Sequence, residues 1–261
     1  MIIEEFMIAA NEAVAEHFEK LDMPCIFRIH EKPEEIKAGE ITSVAMRLGV
    51  IDRKRGVKTH SLASLLAKAR GTDAEDIINH MVLRSLKQAK YSTQNAGHYG
   101  LASRSYCHFT SPIRRYPDLA VHRILREMLG VKRMGAARRK ELELMLPDIA
   151  FHSSRTERIA DEAERSVLNA MRVWFMKERV GEVLAGKVVA VNQSGLRIRL
   201  IDFFVEGFLH VSHMTDDYYQ YDDRGMCLSG LNRKKRFGIG KEIMVRIEDA
   251  DVEAREIALG I

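Results

Sequence analysis

Cysteine is nearly missing from this sequence. Cys25, Cys107 and Cys227 are the only three in 261 residues, too few and too scattered for a disulfide scaffold or a cysteine-rich zinc site. Free thiols in a reducing compartment are the expectation, with the cytoplasm as the location. Nor is there a run of about eighteen apolar residues, the length a membrane-spanning helix needs. Glu4 and Glu5 come too early for a secretory leader. No cofactor loop, internal repeat or low-complexity segment occurs. Together these absences argue against secreted scaffolds, membrane proteins, and zinc or nucleotide-cofactor enzymes.

What is present is basic charge, unevenly spread. The formal net charge is +4. Residues 1–180 carry 30 basic and 24 acidic side chains, whereas 181–261 carry 11 and 13. Between Arg104 and Lys140 there are ten lysines or arginines and only two acids, Asp118 and Glu127. That span overlaps the run GHYGLASRSYCHFTSPIRRYPDLAVHRILR, from Gly97 to Arg126. Such density fits an anion-handling site better than a solvated face, and a phosphate backbone is the natural partner.

Apolar spacing organises the rest. Ile3, Phe6, Met7, Ala10, Val14 and Phe18 recur at helical intervals and predict an amphipathic helix over 2–20. Pro24 and Pro33 bracket a short strand, CIFRIH. Helices are expected over 34–48, ending at Gly49, and over 61–70, stopped by Gly71. Another should start at Thr72, with Glu75 completing a capping box, and reach about Lys90. Further helices are expected from Pro117 to Leu129, from the basic Lys132–Lys140 stretch to a break at Pro147, and from Ala150 to about Val180. On the last of these, Ile159, Ala163, Val167, Ala170 and Trp174 form a stripe expected to be core. At Gly181 the pattern changes to short strand-like runs separated by glycine turns. Five such strands fit a small closed barrel of the oligonucleotide-binding class, with residues 216–237 as a long insertion. The expected fold class is α+β, a mostly helical domain over 1–180 followed by a five-stranded barrel over 181–261.

Arg114 and Arg115 are the leading candidates for chemistry, since a guanidinium fork can take two oxygens of one phosphate. Helical neighbours point about 100° apart, so one of the pair can meet phosphate while the other pairs with Asp118 or solvent. The helix start beyond them offers free N–H groups to an anion. Arg123 and His122 lie two turns further on. His122 reads as a hydrogen-bonded structural residue, because no carboxylate stands at helical spacing to orient it. Gly97 and Gly100 flank His98 and Tyr99 in a loop that would let backbone approach a ligand, with His98 as a candidate ligand-facing side chain. Tyr99, Tyr106 and Phe109 fit base stacking and core packing equally well. His60 and His80 look like surface or interface histidines. Glu157, Asp161, Glu162 and Glu164 read as a solvated acidic face paired with Arg158 and Arg165. Missing beside the arginines is any loop with three or four aspartates, which metal-assisted phosphodiester cleavage uses. Asp216–Asp217 and Asp222–Asp223 fall in the barrel insertion instead.

GHYGLASRSYCHFTSPIRRYPDLAVHR resembles the hallmark stretch of the ribonuclease II and ribonuclease R family, whose catalytic domain is called RNB. IIEEFMIAANEAVAEHF and FRIHEKP resemble its mid-domain segment, and AERSVLNAMR the helix before its C-terminal S1 domain. GLNRKKRFGIGKEIMVRIEDADVEAREIALGI resembles that S1 domain, nearer the ribonuclease R branch. The resemblance implies processive 3′-to-5′ hydrolysis of single-stranded RNA to nucleoside 5′-monophosphates by a monomeric, Mg²⁺-dependent enzyme in which metal ions activate the water. It implies that Arg114 holds the scissile phosphate and that Glu164 lies against the terminal nucleotides. The His98 loop and Arg123 would line the narrow end of the RNA channel, and Phe27 would sit near an aromatic clamp.

In the family, the catalytic aspartates and cold-shock domains precede the segment where this chain begins. The Mg²⁺ ligands, and an N-terminal catalytic half as partner, are therefore expected from outside these residues, and the chain alone is expected to be inactive. The alternative is a non-catalytic RNA-binding or scaffold protein of the same family. In the barrel, Ser194-Gly195-Leu196-Arg197 stands where the family usually carries turn aromatics. Phe203, Phe204, Phe208 and His210 remain for a nucleic-acid face, and Arg197 could replace the lost stacking. Weaker RNA binding by 181–261 than by 1–180 is the expectation.

Overall fold

The computed structural model describes residues 2–51, 61–72, 74–130, 134–222 and 227–261. In chain order the first elements are α1 (Ile2–Lys20), β1 (Phe27–Ile29), α2 (Glu35–Arg47), α3 (Leu62–Ala69) and α4 (Glu75–Ser85). Next come β2 (Lys90–Ser92), a 3₁₀ turn at Tyr99–Leu101, α5 (Tyr116–Leu129) and α6 (Ala136–Lys177). The remainder is strand: β3 (Val183–Asn192), β4 (Gly195–Leu200), β5 (Glu206–His210), β6 (Tyr219–Asp222), β7 (Cys227–Gly230), β8 (Arg236–Gly238), β9 (Glu242–Asp251) and β10 (Glu256–Gly260). They form two compact units, each made of two chain segments: Met1–Lys37 with Ser85–Asp161, and Ala38–Arg84 with Glu162–Ile261. These units do not coincide with a linear division at 180.

In the first unit, β1 and β2 pair antiparallel, Arg28 opposite Tyr91. Their apolar side packs with Ala15 and Phe18 of α1, Val121 and Ile124 of α5, and Leu142, Leu146 and Ala150 of α6. The helical reading of 2–20 holds, but its apolar stripe is buried only toward the C-terminal end. Ile3 and Phe6 are 75% and 71% exposed, because no element of their own unit covers that face.

Pro147 does not break a helix; α6 runs through it. A proline there forfeits one backbone hydrogen bond and strains the preceding turn, at about 3 kcal/mol. Leu142, Leu146 and Ala150, all within 2% of full burial, hold the helix on both sides of the defect. The basic start at Lys132 and Arg133 lies outside the described residues, as does His60.

The second unit joins two cores. Ile41, Ala45, Leu65, Ile78 and Val82 pack α2, α3 and α4 together. The expected capping box is replaced by a split arrangement: the Thr72 hydroxyl donates to the Ala69 carbonyl at 2.7 Å, and the Glu75 carboxylate accepts the Gly71 N–H at 2.7 Å. α4 then ends at Ser85, short of Lys90.

The barrel closes in the order β10-β5-β4-β3-β9, so the five-strand expectation holds. On β4, Leu196, Ile198 and Leu200 point in while Arg197 and Arg199 point out, the period-two alternation of a half-buried strand. The 216–237 insertion carries its own three-stranded sheet, β6-β7-β8.

The α6 stripe is a second correction. Val167 and Trp174 are 59% and 65% exposed, Ile159 is 54% exposed, and the buried positions are Val173 and Met176. This stretch of helix is apolar around much of its circumference, so spacing alone could not choose the face that meets the barrel core. No described helix is long and apolar enough to cross a membrane.

Because Pro147 is exposed, its replacement removes the helix defect without disturbing the core. Pro147→Ala is expected to stabilise the chain by roughly 1–3 kcal/mol, read as a higher urea midpoint with an unchanged slope.

Candidate nucleic-acid interface

The Gly97–Arg126 run is built on the first unit. Gly97 has φ +70°, and a β-carbon there would stand 3.1 Å from the Ser103 carbonyl oxygen. Gly100 donates its N–H to His30 Nδ1 at 3.1 Å, and a β-carbon would lie 2.9 Å from that same nitrogen. The two glycines thus bring backbone against a histidine ring of the same chain. His98 starts the 3₁₀ turn, its Nδ1 accepting from the Leu101 N–H at 3.3 Å. Its ring meets His30 and Tyr106 edge-on at 5.2 and 5.4 Å. Tyr99 is 37% exposed on the outside of the loop, whereas Tyr106 is buried. Phe109 stacks flat on His122 at 3.9 Å, and His122 Nε2 bonds the Phe109 carbonyl at 2.8 Å. His122 is therefore structural, as its sequence context suggested.

The arginine pair divides its labour. Asp118 is fully buried, and its Oδ1 accepts the Ser111 N–H and an Arg115 Nη2–H, both at 2.8 Å. Arg115 is committed to this pair, its side chain 19% exposed. Arg114 sits in the turn before α5 with its side chain exposed. Its guanidinium makes no hydrogen bond or ion pair among the described residues. The geometry thus leaves one free fork beside the first turn of α5. Arg123 is also exposed on α5 and faces a groove shared with Tyr116, Leu142 and Met145.

Sequence reasoning missed two supports of this loop. Asn11, 3% exposed on α1, accepts the Phe109 and Thr110 N–H groups on Oδ1 at 2.9 and 3.2 Å and donates Nδ2 to the Tyr106 hydroxyl at 2.9 Å. The available signal was an amide interrupting an otherwise apolar helical face. Arg28 donates to Glu157 at 2.6 Å and lies 4.6 Å over the Tyr91 ring. Glu157 is therefore a tertiary partner, not part of a helix-surface network with Arg158.

These cations act on the neighbouring imidazoles. Burial, then the charge of Arg115 and Arg28, pushes His108 down to about 3. Burial, with His30 and Arg28 beside it, lowers His98 to about 4. Tyr91, pushed up to about 12 by burial, stays protonated, with its hydroxyl 2.9 Å from His108 Nδ1.

Phe27 belongs to the first unit and the remaining candidates to the second. Phe27 is 6% exposed within the first unit's core, so its ring is unavailable for stacking on a base. Glu164 is exposed on α6 within the second unit. There Arg197 stands opposite Phe208 in the β4–β5 register, and Arg199 pairs with Glu206 at 2.7 Å. Arg172, Arg197, Arg199 and Arg255 share a cleft of about 840 Å³ with Phe204 and Phe208. His210 is held by Ser212, whose hydroxyl lies 2.7 Å from Nδ1. Phe203 is turned inward, covered by the Arg179 guanidinium at 4.6 Å.

Among the described residues no three carboxylate, imidazole or thiol side chains gather where they could hold a metal ion. The one carboxylate beside the arginines, Asp118, pairs through Oδ1 with Arg115 and keeps Oδ2 buried without a partner, a single oxygen with no second carboxylate beside it among the described residues. This donor set does not fit a Mg²⁺ centre.

Depressed histidine values have a definite sign for stability. Both folded-state values lie below the ordinary 6.5, so the contribution of the neutral rings is complete above about pH 6.5 and is lost as pH falls from there toward 4 and 3. His108→Gln should flatten that acid limb, measured as urea midpoints across the pH range.

Comparison with known proteins agrees with the fold and the motif. The RNB domain profile matches residues 1–131, and the S1 RNA binding domain profile matches residues 177–261. Ribonuclease R 1 of Lactococcus lactis is 40% identical over 98% of this chain, which corresponds to 31% of that protein. Ribonuclease R of Escherichia coli is 37% identical over 98% of the chain and 32% of its own length. The chain thus spans about a third of the curated relatives it matches. The structure of Mycoplasma genitalium RNase R with ribose-methylated single-stranded RNA superposes with a TM-score of 0.86 at 25% identity, covering 99% of this chain and 41% of that one. With half its length under the RNB profile and an oligonucleotide-binding barrel of the S1 type behind it, the chain belongs to the RNB family, on its ribonuclease R side.

Proposed function

We propose that these 261 residues are the phosphate- and RNA-gripping portion of a 3′-to-5′ exoribonuclease that degrades single-stranded RNA processively to nucleoside 5′-monophosphates. The functional boundary falls at 180/181, with the RNB portion before it and the S1 domain after. The observation that carries the reading is the free, exposed Arg114 fork beside an Arg115 already spent on buried Asp118.

In the proposed reaction water adds to the phosphorus and the bond to the 3′ oxygen breaks. Arg114 supplies positive charge where negative charge builds on the phosphoryl oxygens, an effect worth most when the donor is held in place beforehand. Arg123 and the Tyr99 face of the loop serve the rest of the strand, and Glu164 lies against the terminal nucleotides. Mg²⁺ and its carboxylates are assigned to polypeptide outside these residues. The enzyme would work as a cytoplasmic monomer.

The decisive experiment mixes the chain with a polypeptide carrying the missing aspartates and follows mononucleotide release from labelled RNA. Activity is expected from the mixture and from neither part alone. Arg114→Ala should lower the rate roughly 100-fold. No release from the mixture or from an intact parent would establish the non-catalytic RNA-binding reading instead.

The barrel should contribute less to affinity than the first unit. Exposed rings that stack on bases are worth about 1–3 kcal/mol each, and the β3–β4 turn has none. In filter binding across salt, Arg197→Ala is expected to weaken RNA binding less than Arg114→Ala.

A further inference from the structure

We infer that Asn11 is a positioning residue for Arg114: its side chain clamps the Phe109–Thr110 backbone and so fixes where the Arg114 fork is presented. The inference rests on the reading of Arg114 as a phosphate ligand.

The loop that leads to Arg114 is pinned at consecutive peptide groups. Asn11 Oδ1 takes the N–H groups of Phe109 and Thr110 at 2.9 and 3.2 Å. His122 holds the Phe109 carbonyl at 2.8 Å, and Asp118 takes the Ser111 N–H at 2.8 Å. Pro112 fixes the next φ. The N–H groups of Arg114 and Arg115 then close on the Ser111 carbonyl at 3.3 and 3.1 Å. Asn11 is itself immobilised, since Nδ2 is tied to the Tyr106 hydroxyl at 2.9 Å and its own carbonyl accepts from the Cys107 thiol at 3.4 Å. Its amide satisfies two backbone donors that would otherwise be unpaired. Asp118 holds the same loop from the downstream side. Asn11 belongs to α1, far from the motif in sequence, and bonds this loop at two consecutive peptide groups. Loss of its acceptor therefore frees the Phe109–Thr110 peptides that anchor the turn to α1, while the Arg115–Asp118 pair keeps only the turn's internal shape. Arg114 would then sample several directions and make its phosphate contact only part of the time.

The test is a double-mutant cycle in the full chain, reading affinity for a labelled single-stranded oligouridylate across a salt series. Arg114→Ala should weaken binding roughly tenfold and reduce the salt slope by about 0.7, one phosphate contact on a single strand. Asn11→Leu should reproduce most of both changes, and the double variant should add little to Arg114→Ala alone. Asn11→Asp, which keeps the acceptor, should restore the slope. If Asn11→Leu does not melt cooperatively, Tyr106→Phe unties the amide while leaving both backbone bonds available, and it should move the slope in the same direction. A wild-type slope in folded Asn11→Leu, or losses that add fully in the double variant, would overturn the inference and leave Arg114 as a phosphate ligand. A wild-type slope in Arg114→Ala would overturn the ligand assignment itself, and the inference with it.

Discussion

Asp118 has no exposed surface, and burying a carboxylate is costly unless its charge is paired. Arg115 answers the charge and shares Oδ1 with the Ser111 N–H, while Oδ2 is buried without a hydrogen-bond partner. Two consequences follow from one oxygen atom. The turn before α5 acquires a fixed shape, and two adjacent arginines of identical chemistry acquire different employment. Without the buried acid both forks would be solvated and interchangeable. With it, one is a structural cation and the other is presented to whatever lies outside.

The surroundings extend that logic. Arg28, Arg114 and Arg115 sit near a group of rings whose basicity is suppressed by burial and by those same cations. Neutral imidazoles of this sort serve as hydrogen-bonding plates, with His108 bonded to the Tyr91 hydroxyl and His98 receiving a backbone N–H. Beside His98 and His108 the positive charge is thereby carried by guanidinium groups, which do not titrate near neutrality. The proposed phosphate grip of Arg114 benefits from that separation of roles, since its charge does not change with pH near neutrality.

Much of this was legible in the sequence, and the limits have physical causes. Helices α1, α2, α3 and α5 and the five barrel strands announced themselves by period and by glycine or proline stops, which are local properties. The split duty of Arg114 and Arg115 was open to inference because Asp118 stands three residues from one of them. Asn11 was legible only as an amide on an apolar face, since its partners lie 95 to 99 residues away and nothing local names them. Glu157 misled for the same reason, its partner being Arg28 on a different element. Pro147 and the α6 stripe misled in the opposite direction. Local rules forecast a break and a buried face, and tertiary packing of Leu146, Ala150, Val173 and Met176 overrode both.

Trp174 is the single tryptophan of the chain, and it stands 65% exposed on α6. An indole already in contact with water emits at long wavelength before the chain is ever denatured. Its fluorescence is consequently a poor gauge of unfolding in either unit, and melts must be followed by circular dichroism or by the tyrosines. The same exposure makes it a good gauge of contact. Any polypeptide or nucleic acid that settles on that side of α6 will dry the indole, shift its emission to the blue, and report its own arrival without an added label.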